Sequence, residues 1–235
     1  QRVKREAFIW SRTEHANLHP FLGYRSQPRP SLISPWCRHG NLSDYLRASP
    51  GLPRVDKLIL ISQTACGLEH LHSQTPPICH GDIKPENVLV NDRLEAVLTD
   101  FGLGRVLMDL GVPTGFTTSD TAIGTLVYMA GELFAEVGSR SNLQTDVYAF
   151  GGLTLAVMSG RSPFFGLQTP QVMARLMQYQ QPRSGDHPEI SPSDPLWSLM
   201  RRCWDKVPDL RPEMEKIVVE VSLYESSNFD PHADL

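Results

Sequence analysis

An aspartate, a lysine two residues on and an asparagine five residues on stand together in His80-Gly81-Asp82-Ile83-Lys84-Pro85-Glu86-Asn87, and a second aspartate follows thirteen residues later in Asp100-Phe101-Gly102. Taken singly, each of these types is common in turns and caps. In this order and spacing they form a layout for phosphoryl transfer. That reaction needs a carboxylate near the incoming hydroxyl, hard oxygen ligands for Mg²⁺ and a positive charge near the moving phosphoryl group.

The elements that must hold these residues can be read from their flanks. Val88-Leu89-Val90 and Ala96-Val97-Leu98 are short apolar runs separated by Asn91-Asp92-Arg93, a hairpin signal that sets Asp82–Asn87 before one strand and Asp100 after the other. Upstream, Leu58, Ile61, Ala65 and Leu68 keep helical spacing and predict a core helix over Asp56–Ser73. Leu42–Ala48 reads as a short helix, and Val3–Leu18 as a first helix. Pro28-Arg29-Pro30 reads as a turn between short strands near Phe21–Tyr24 and Leu32–Ser34. Gly102–Ser119, rich in Gly and Thr, reads as a long loop. Beyond it the chain is mostly helical. One helix over Asp146–Ser159 is stopped by Gly160, and Thr169-Pro170 and Asp194-Pro195 open two more. Arg211-Pro212 opens the last, which runs to about Tyr224, and Ser226–Leu235 is a polar, frayed tail.

Composition narrows the function classes. The 235 residues are 40% hydrophobic and 20% charged, enough apolar material for a packed core. With 22 basic against 26 acidic residues the net charge is −4, which argues against a dedicated nucleic-acid binder. The longest uncharged apolar run, Val147–Gly160, is 14 residues with three glycines, too short for a membrane span. No apolar stretch follows the basic N-terminus, so no secretion signal is visible, and the missing initiator Met marks a fragment or processed product. Cys37, Cys66, Cys79 and Cys203 form no Cys-x-x-Cys pair, which disfavours zinc or a disulfide framework and points to a reducing, intracellular and cytoplasmic setting.

These motifs together resemble a eukaryotic protein kinase domain of the tyrosine-kinase-like serine/threonine type. His80-Gly81-Asp82 resembles the catalytic-loop His-Arg-Asp and Asp100-Phe101-Gly102 the metal-binding triplet. Ala130-Gly131-Glu132 resembles the Ala-Pro-Glu that ends an activation segment, Asp146–Gly151 the start of the central large-lobe helix, and Cys203-Trp204 with Arg211-Pro212 the closing motifs. The resemblance implies an α+β, two-lobed fold with a truncated small lobe and a mainly helical large lobe. It divides the chain into a kinase domain over 1–225 (small-lobe remnant with helix C 1–34, hinge 35–37, large lobe 38–225) and a disordered tail over 226–235. It further implies ATP and Mg²⁺ as cofactors and a protein substrate.

The same resemblance assigns roles. Asp82 accepts or orients the substrate hydroxyl proton, chiefly by positioning, because a carboxylate is a weak base. Lys84 touches the γ-phosphate, a serine/threonine-type feature. Asn87 and Asp100 hold Mg²⁺, and Leu89 packs under adenine. Ser34 becomes a small gatekeeper, the Pro35 carbonyl the acceptor for the adenine amino group and the Cys37 N–H the donor to the ring. Glu6 aligns with the helix-C glutamate. Trp10 and Phe101 become core or spine residues, and His80 a packed structural histidine. Glu132 and Arg211 form an ion pair, and Asp146 caps its helix while bonding catalytic-loop backbone.

Three departures accompany the match. No Gly-x-Gly-x-x-Gly exists in the 235 residues and no strand-three lysine precedes Glu6, Lys4 being two residues away on the same expected helix. Gly81 replaces the arginine that pairs with a loop phosphate, so phosphorylation at Thr114, Thr117, Thr118, Ser119 or Thr121 is not the expected switch. Gly131 replaces proline, with a modest loss of rigidity expected. The first departure leaves a catalytically inactive pseudokinase scaffold as the alternative. Gly81 leaves a small-molecule kinase of the same fold, which Glu132 and Arg211 oppose.

Overall fold

The computed structural model describes residues 10–29, 31–101, 124–134 and 139–227. Two antiparallel strand pairs and six α-helices make up the described architecture, an α+β fold with few strands and mostly helical content. The first pair joins β1 (Gly23–Arg25) to β2 (Ser31–Ile33) with Tyr24 opposite Leu32. It lies one to two residues from the expected positions, and the intervening proline-rich turn is as read. The second pair is the expected hairpin, β3 (Val88–Val90) against β4 (Ala96–Leu98), with Leu89 opposite Val97.

The first helix does not reach Leu18. Only Trp10 is helical at the start of the described chain, and Thr13 closes the turn by returning both its N–H (3.3 Å) and its hydroxyl (3.2 Å) to the Trp10 carbonyl. The chain then runs alongside β4. Leu18 bridges Leu98 in parallel, Leu98 N–H donates to the Asn17 carbonyl at 2.9 Å and His19 N–H to the Leu98 carbonyl at 2.8 Å. Leu18 is apolar because it is buried against a strand edge, and that burial imitated a helical stripe.

Helix α1 (Leu42–Ala48) begins on Asn41, whose side chain accepts the Asp44 N–H at 2.9 Å. Helix α2 (Arg54–His72) buries Leu58, Ile61, Ala65 and Leu68 as expected, and packs on β4 and the last helix. Helix α3 (Leu143–Ser159) is the central rod, buried continuously from Thr145 to Ser159. Its start is a reciprocal cap. Asn142 Oδ1 accepts the Thr145 N–H at 3.0 Å, and Thr145 Oγ1 accepts the Asn142 N–H at 2.9 Å. Asp146 therefore lies inside the first turn rather than at the cap. Gly160 ends the helix with a left-handed φ of 70°.

Helices α4 (Thr169–Met177), α5 (Leu196–Cys203) and α6 (Met214–Ser227) complete the fold. Each opening shifts by one to three residues from its proline signal. Gln168, not Thr169, precedes α4, and Pro195 itself precedes α5 while Asp194 Oδ1 accepts the Leu196 N–H at 3.0 Å. Among the described residues no helix is long and apolar enough to cross a membrane. Glu6, Lys4, the expected loop over Gly102–Ser119, the five candidate hydroxyl residues including Thr121, and the tail beyond 227 lie outside the described residues.

Gly131 is not a loosened proline position. It is buried, and a Cβ built there would stand 2.4 Å from the Leu176 carbonyl oxygen and 3.2 Å from Tyr179 Cδ1. The glycine lets the end of α4 close onto the Gly131–Phe134 turn. Gly131→Ala is therefore expected to destabilise the chain by about 1–3 kcal/mol through overpacking, read as a lower urea midpoint with unchanged slope.

Acid should weaken the fold. His15, His19, His80 and His187 are all held below the usual histidine range, in each case first by burial. His187 is fully buried, with Nδ1 3.1 Å from Ser159 Oγ and no hydrogen-bond partner at Nε2 among the described residues; Asp186 and Glu189 oppose the shift and Arg161 adds to it. A histidine depressed in the fold binds its proton more readily once unfolded, so stability falls as pH drops through the unfolded histidine value near 6.5. Urea midpoints should decline steadily between about pH 7 and pH 5, and His187→Gln should flatten that decline. A midpoint independent of pH there would contradict the burial of these rings.

Candidate active site

The loop before β3 gathers the chemistry. Gly81 has a left-handed φ of 81°, which a glycine adopts without the strain an arginine would carry. The turn is pinned from below by Asp146 on α3, which is 1% exposed and accepts the His80 N–H at 2.7 Å and the Gly81 N–H at 2.8 Å. His72 Nε2 also meets Asp146 Oδ2, at 3.1 Å. His80 is fully buried and its Nε2 lies 3.0 Å from the Thr99 carbonyl, tying the loop to the residue before Asp100. Burial pushes this imidazole down, against the pull of Asp146 and Asp82, so it is a neutral structural ring as expected.

Asp82, Lys84 and Asn87 converge. Lys84 Nζ donates to Asp82 Oδ2 at 2.8 Å, and Asn87 Nδ2 donates to the same oxygen and to the Asp82 carbonyl, both at 2.8 Å. One carboxylate oxygen is thus fixed by two donors, which orients the other. Lys84 also donates to Thr125 Oγ1 at 2.7 Å, a residue the sequence reading missed. Its signal was its place five residues before Ala130, but a lone Gly-Thr carries no periodicity.

Asp100 stands two residues past β4 with φ 61°, a left-handed conformation that aspartate tolerates better than most residues. Burial raises its carboxyl above the ordinary range; His80 and Lys84 pull it down and Asp82 pushes it up, which places Asp100 in the electrostatic field of the loop. Its donor set suits Mg²⁺. The Asn87 amide nitrogen is spent on Asp82, so its side-chain oxygen is the atom it could offer a cation, and the Asp100 carboxylate is half-buried beside it in the same field.

Phe101 packs edge-on against His80 at 6.4 Å and against Trp10 at 5.8 Å, and Trp10 meets Phe21 at 5.5 Å. The four rings form a continuous column from the β1 approach to the His80–Asp82 loop. The sequence placed Trp10 and Phe101 in such a spine but not Phe21.

The segment Pro35–Cys37 connects β2 to α1. Pro35 is exposed and Cys37 buried at 8%; Leu89 is the half-exposed middle of β3, bridged to Asn41. Burial, then Asp92, pushes the Cys37 thiol up, so it is protonated rather than reactive. A cavity of about 730 Å³ is lined by Trp10, His19, Phe21, Pro35, Trp36 and Cys37 among others, but not by Asp82, Lys84, Asn87, Leu89 or Asp100. This recess thus takes in the Pro35–Cys37 strip and the rear of the ring column, not the carboxylates. The Glu132–Arg211 pair is bidentate at 2.6 and 3.0 Å, with the arginine side chain 1% exposed.

The profile of the family described as protein tyrosine and serine/threonine kinase matches residues 1–221. Receptor-interacting serine/threonine-protein kinase 3 from Homo sapiens is 32% identical over 200 residues, covering 83% of this chain and 38% of that protein. Ankyrin repeat and protein kinase domain-containing protein 1 from Mus musculus is 30% identical over 181 residues, covering 74% and 24%. Receptor-interacting serine/threonine-protein kinase 2 from Bos taurus is 27% identical over 229 residues, covering 93% and 42%. The chain spans less than half the length of each of these relatives.

Proposed function

The chain belongs to the protein tyrosine and serine/threonine kinase family, and from that premise we propose that its site serves ATP- and Mg²⁺-dependent phosphoryl transfer to serine or threonine hydroxyls of a protein substrate. The observation that carries the reading is the convergence of Lys84 and Asn87 on one oxygen of Asp82, with Lys84 also held by Thr125. The second Asp82 oxygen is then aimed to receive the hydroxyl proton, and the shared lysine sets a cation beside it for the phosphoryl group. Asn87 and Asp100 would hold Mg²⁺, which would neutralise phosphate charge. Pro35 O and Cys37 N–H would receive the adenine edge, with Leu89 beneath it. In this reading residues 1–34 belong to the small lobe with helix C, 35–37 are the hinge and 38–225 the large lobe; the expected tail over 226–235 begins later, because α6 runs on through Ser227.

The 235 residues hold no glycine-rich phosphate loop, which supports a second reading as a scaffold without turnover. A small-molecule kinase is disfavoured by the buried Glu132–Arg211 pair, which fixes the segment that a peptide would dock on.

Thermal unfolding of the chain with saturating Mg²⁺ and ATP tests the site. At tenfold excess over Kd the midpoint should rise by about 3–6 °C, and Asp100→Asn should abolish the Mg²⁺-dependent part. No rise in the unsubstituted chain would fit a disabled fragment and a scaffold equally, and would remove the support for a working Mg²⁺ site in these residues. Phosphotransfer by the 235 residues alone is expected at background, because the phosphate-cradling amides and lysine are not among them; turnover well above it would show that they are dispensable.

A further inference from the structure

His19 is a buried titratable group that the proposed reaction leaves without a task. It is 3% exposed and lies in the cavity wall with Pro35 and Cys37. Its backbone is tied on both sides: its N–H donates to the Leu98 carbonyl at 2.8 Å, and its carbonyl accepts the Trp10 indole N–H. The side chain turns the other way. Its Nδ1 lies 3.9 Å from Cys37 Sγ, and the Pro35 backbone lies near enough to favour a proton on the ring. One residue therefore touches the ring column, the strand leading to Asp100 and the Pro35–Cys37 segment.

We propose that His19 is a positioning residue for the nucleotide base: its neutral imidazole accepts the Cys37 S–H at Nδ1 and donates its Nε2–H to the Pro35 carbonyl, bracing the strip of backbone that the base would meet. This rests on the proposed nucleotide site for its purpose but not for its geometry. A neutral imidazole has one donor and one acceptor nitrogen, and a protonated thiol beside Nδ1 assigns the acceptor there. Burial favours both neutral forms, lowering the histidine and raising the thiol. An aliphatic side chain could fill the space, but it could not hold a carbonyl and a thiol in register.

The test uses the 235-residue chain with ¹⁵N-labelled histidine. The ring correlation pattern of His19 should identify the neutral Nε2–H form at neutral pH; an Nδ1–H or cationic ring overturns the proposal. Exchange of the Gly40 amide, which donates to the Cys37 carbonyl at 3.2 Å, reports the brace. His19→Val should speed it about fivefold, the ratio set by the net worth of one hydrogen bond. His19→Gln, which keeps a donor and an acceptor, should restore most of the protection. The Val157 amide in α3 monitors global opening. Equal acceleration at Gly40 and Val157, or none at Gly40, would mean His19 merely packs, and would refute the brace. ATP affinity should fall about fivefold in His19→Val and recover in His19→Gln. If the unsubstituted chain binds no ATP, the nucleotide reading fails while the ring spectrum and the exchange ratios still decide the brace.

Discussion

Asp146→Ala is expected to cost about 3–5 kcal/mol of folding stability, the penalty for removing one partner from a buried charged network. Asp146 holds the backbone N–H groups of His80 and Gly81 and faces His72, all from a position that is 1% exposed. Without it the two amides lose their acceptor, at about 1–3 kcal/mol each where they are buried. Asp146→Asn keeps one oxygen and should lose about half as much. Urea unfolding gives the stability, and amide exchange at His80 and Gly81 locates the loss. A variant with an unchanged midpoint would mean the turn stands on its own backbone and does not need α3 beneath it.

The second large effect concerns Arg211. Besides its two bonds to Glu132, its guanidinium donates to the Gln144 carbonyl and the Asp205 carbonyl, each at 3.0 Å, and lies 5.2 Å from the Tyr148 ring. Arg211→Met keeps the apolar length and removes every donor, leaving Glu132 without its counter-charge. A loss of about 3–5 kcal/mol should follow. The double variant Arg211→Met with Glu132→Met should recover a large part of it, because the lone carboxylate no longer has to be desolvated. Midpoints of the two single variants and the double variant give the coupling directly. If the double variant is as unstable as the sum of the two, the pair is not the unit that matters.

The sequence was most legible where spacing and chemistry coincide. The hairpin, α1 and the Asp82–Asn87 loop fall where the residues put them, because turn chemistry and apolar alternation are local. The Glu132–Arg211 contact, 79 residues apart, was legible only through the family resemblance. Errors arose where burial came from a distant partner. Leu18 reads as a helical position until β4 is known to lie beside it, and Gly131 reads as a weak proline substitute until the Leu176 carbonyl is seen above it. Thr125, Phe21 and His19 were missed for the same reason. Each acts through a contact made by the folded chain, and none belongs to a repeating pattern.

The Pro35–Cys37 strip also has an optical consequence. Of the four tryptophans, Trp10, Trp197 and Trp204 are 2–6% exposed, whereas Trp36 is 85% exposed. A soluble quencher in the buffer therefore reaches one indole almost exclusively, and the emission it removes belongs to the strip itself. The residual emission is weighted toward the interior, with Trp10 among the stacked rings. The chain thus carries its own two-colour gauge: quenching reads events at the surface of the strip, and the protected band reads the integrity of the core behind it.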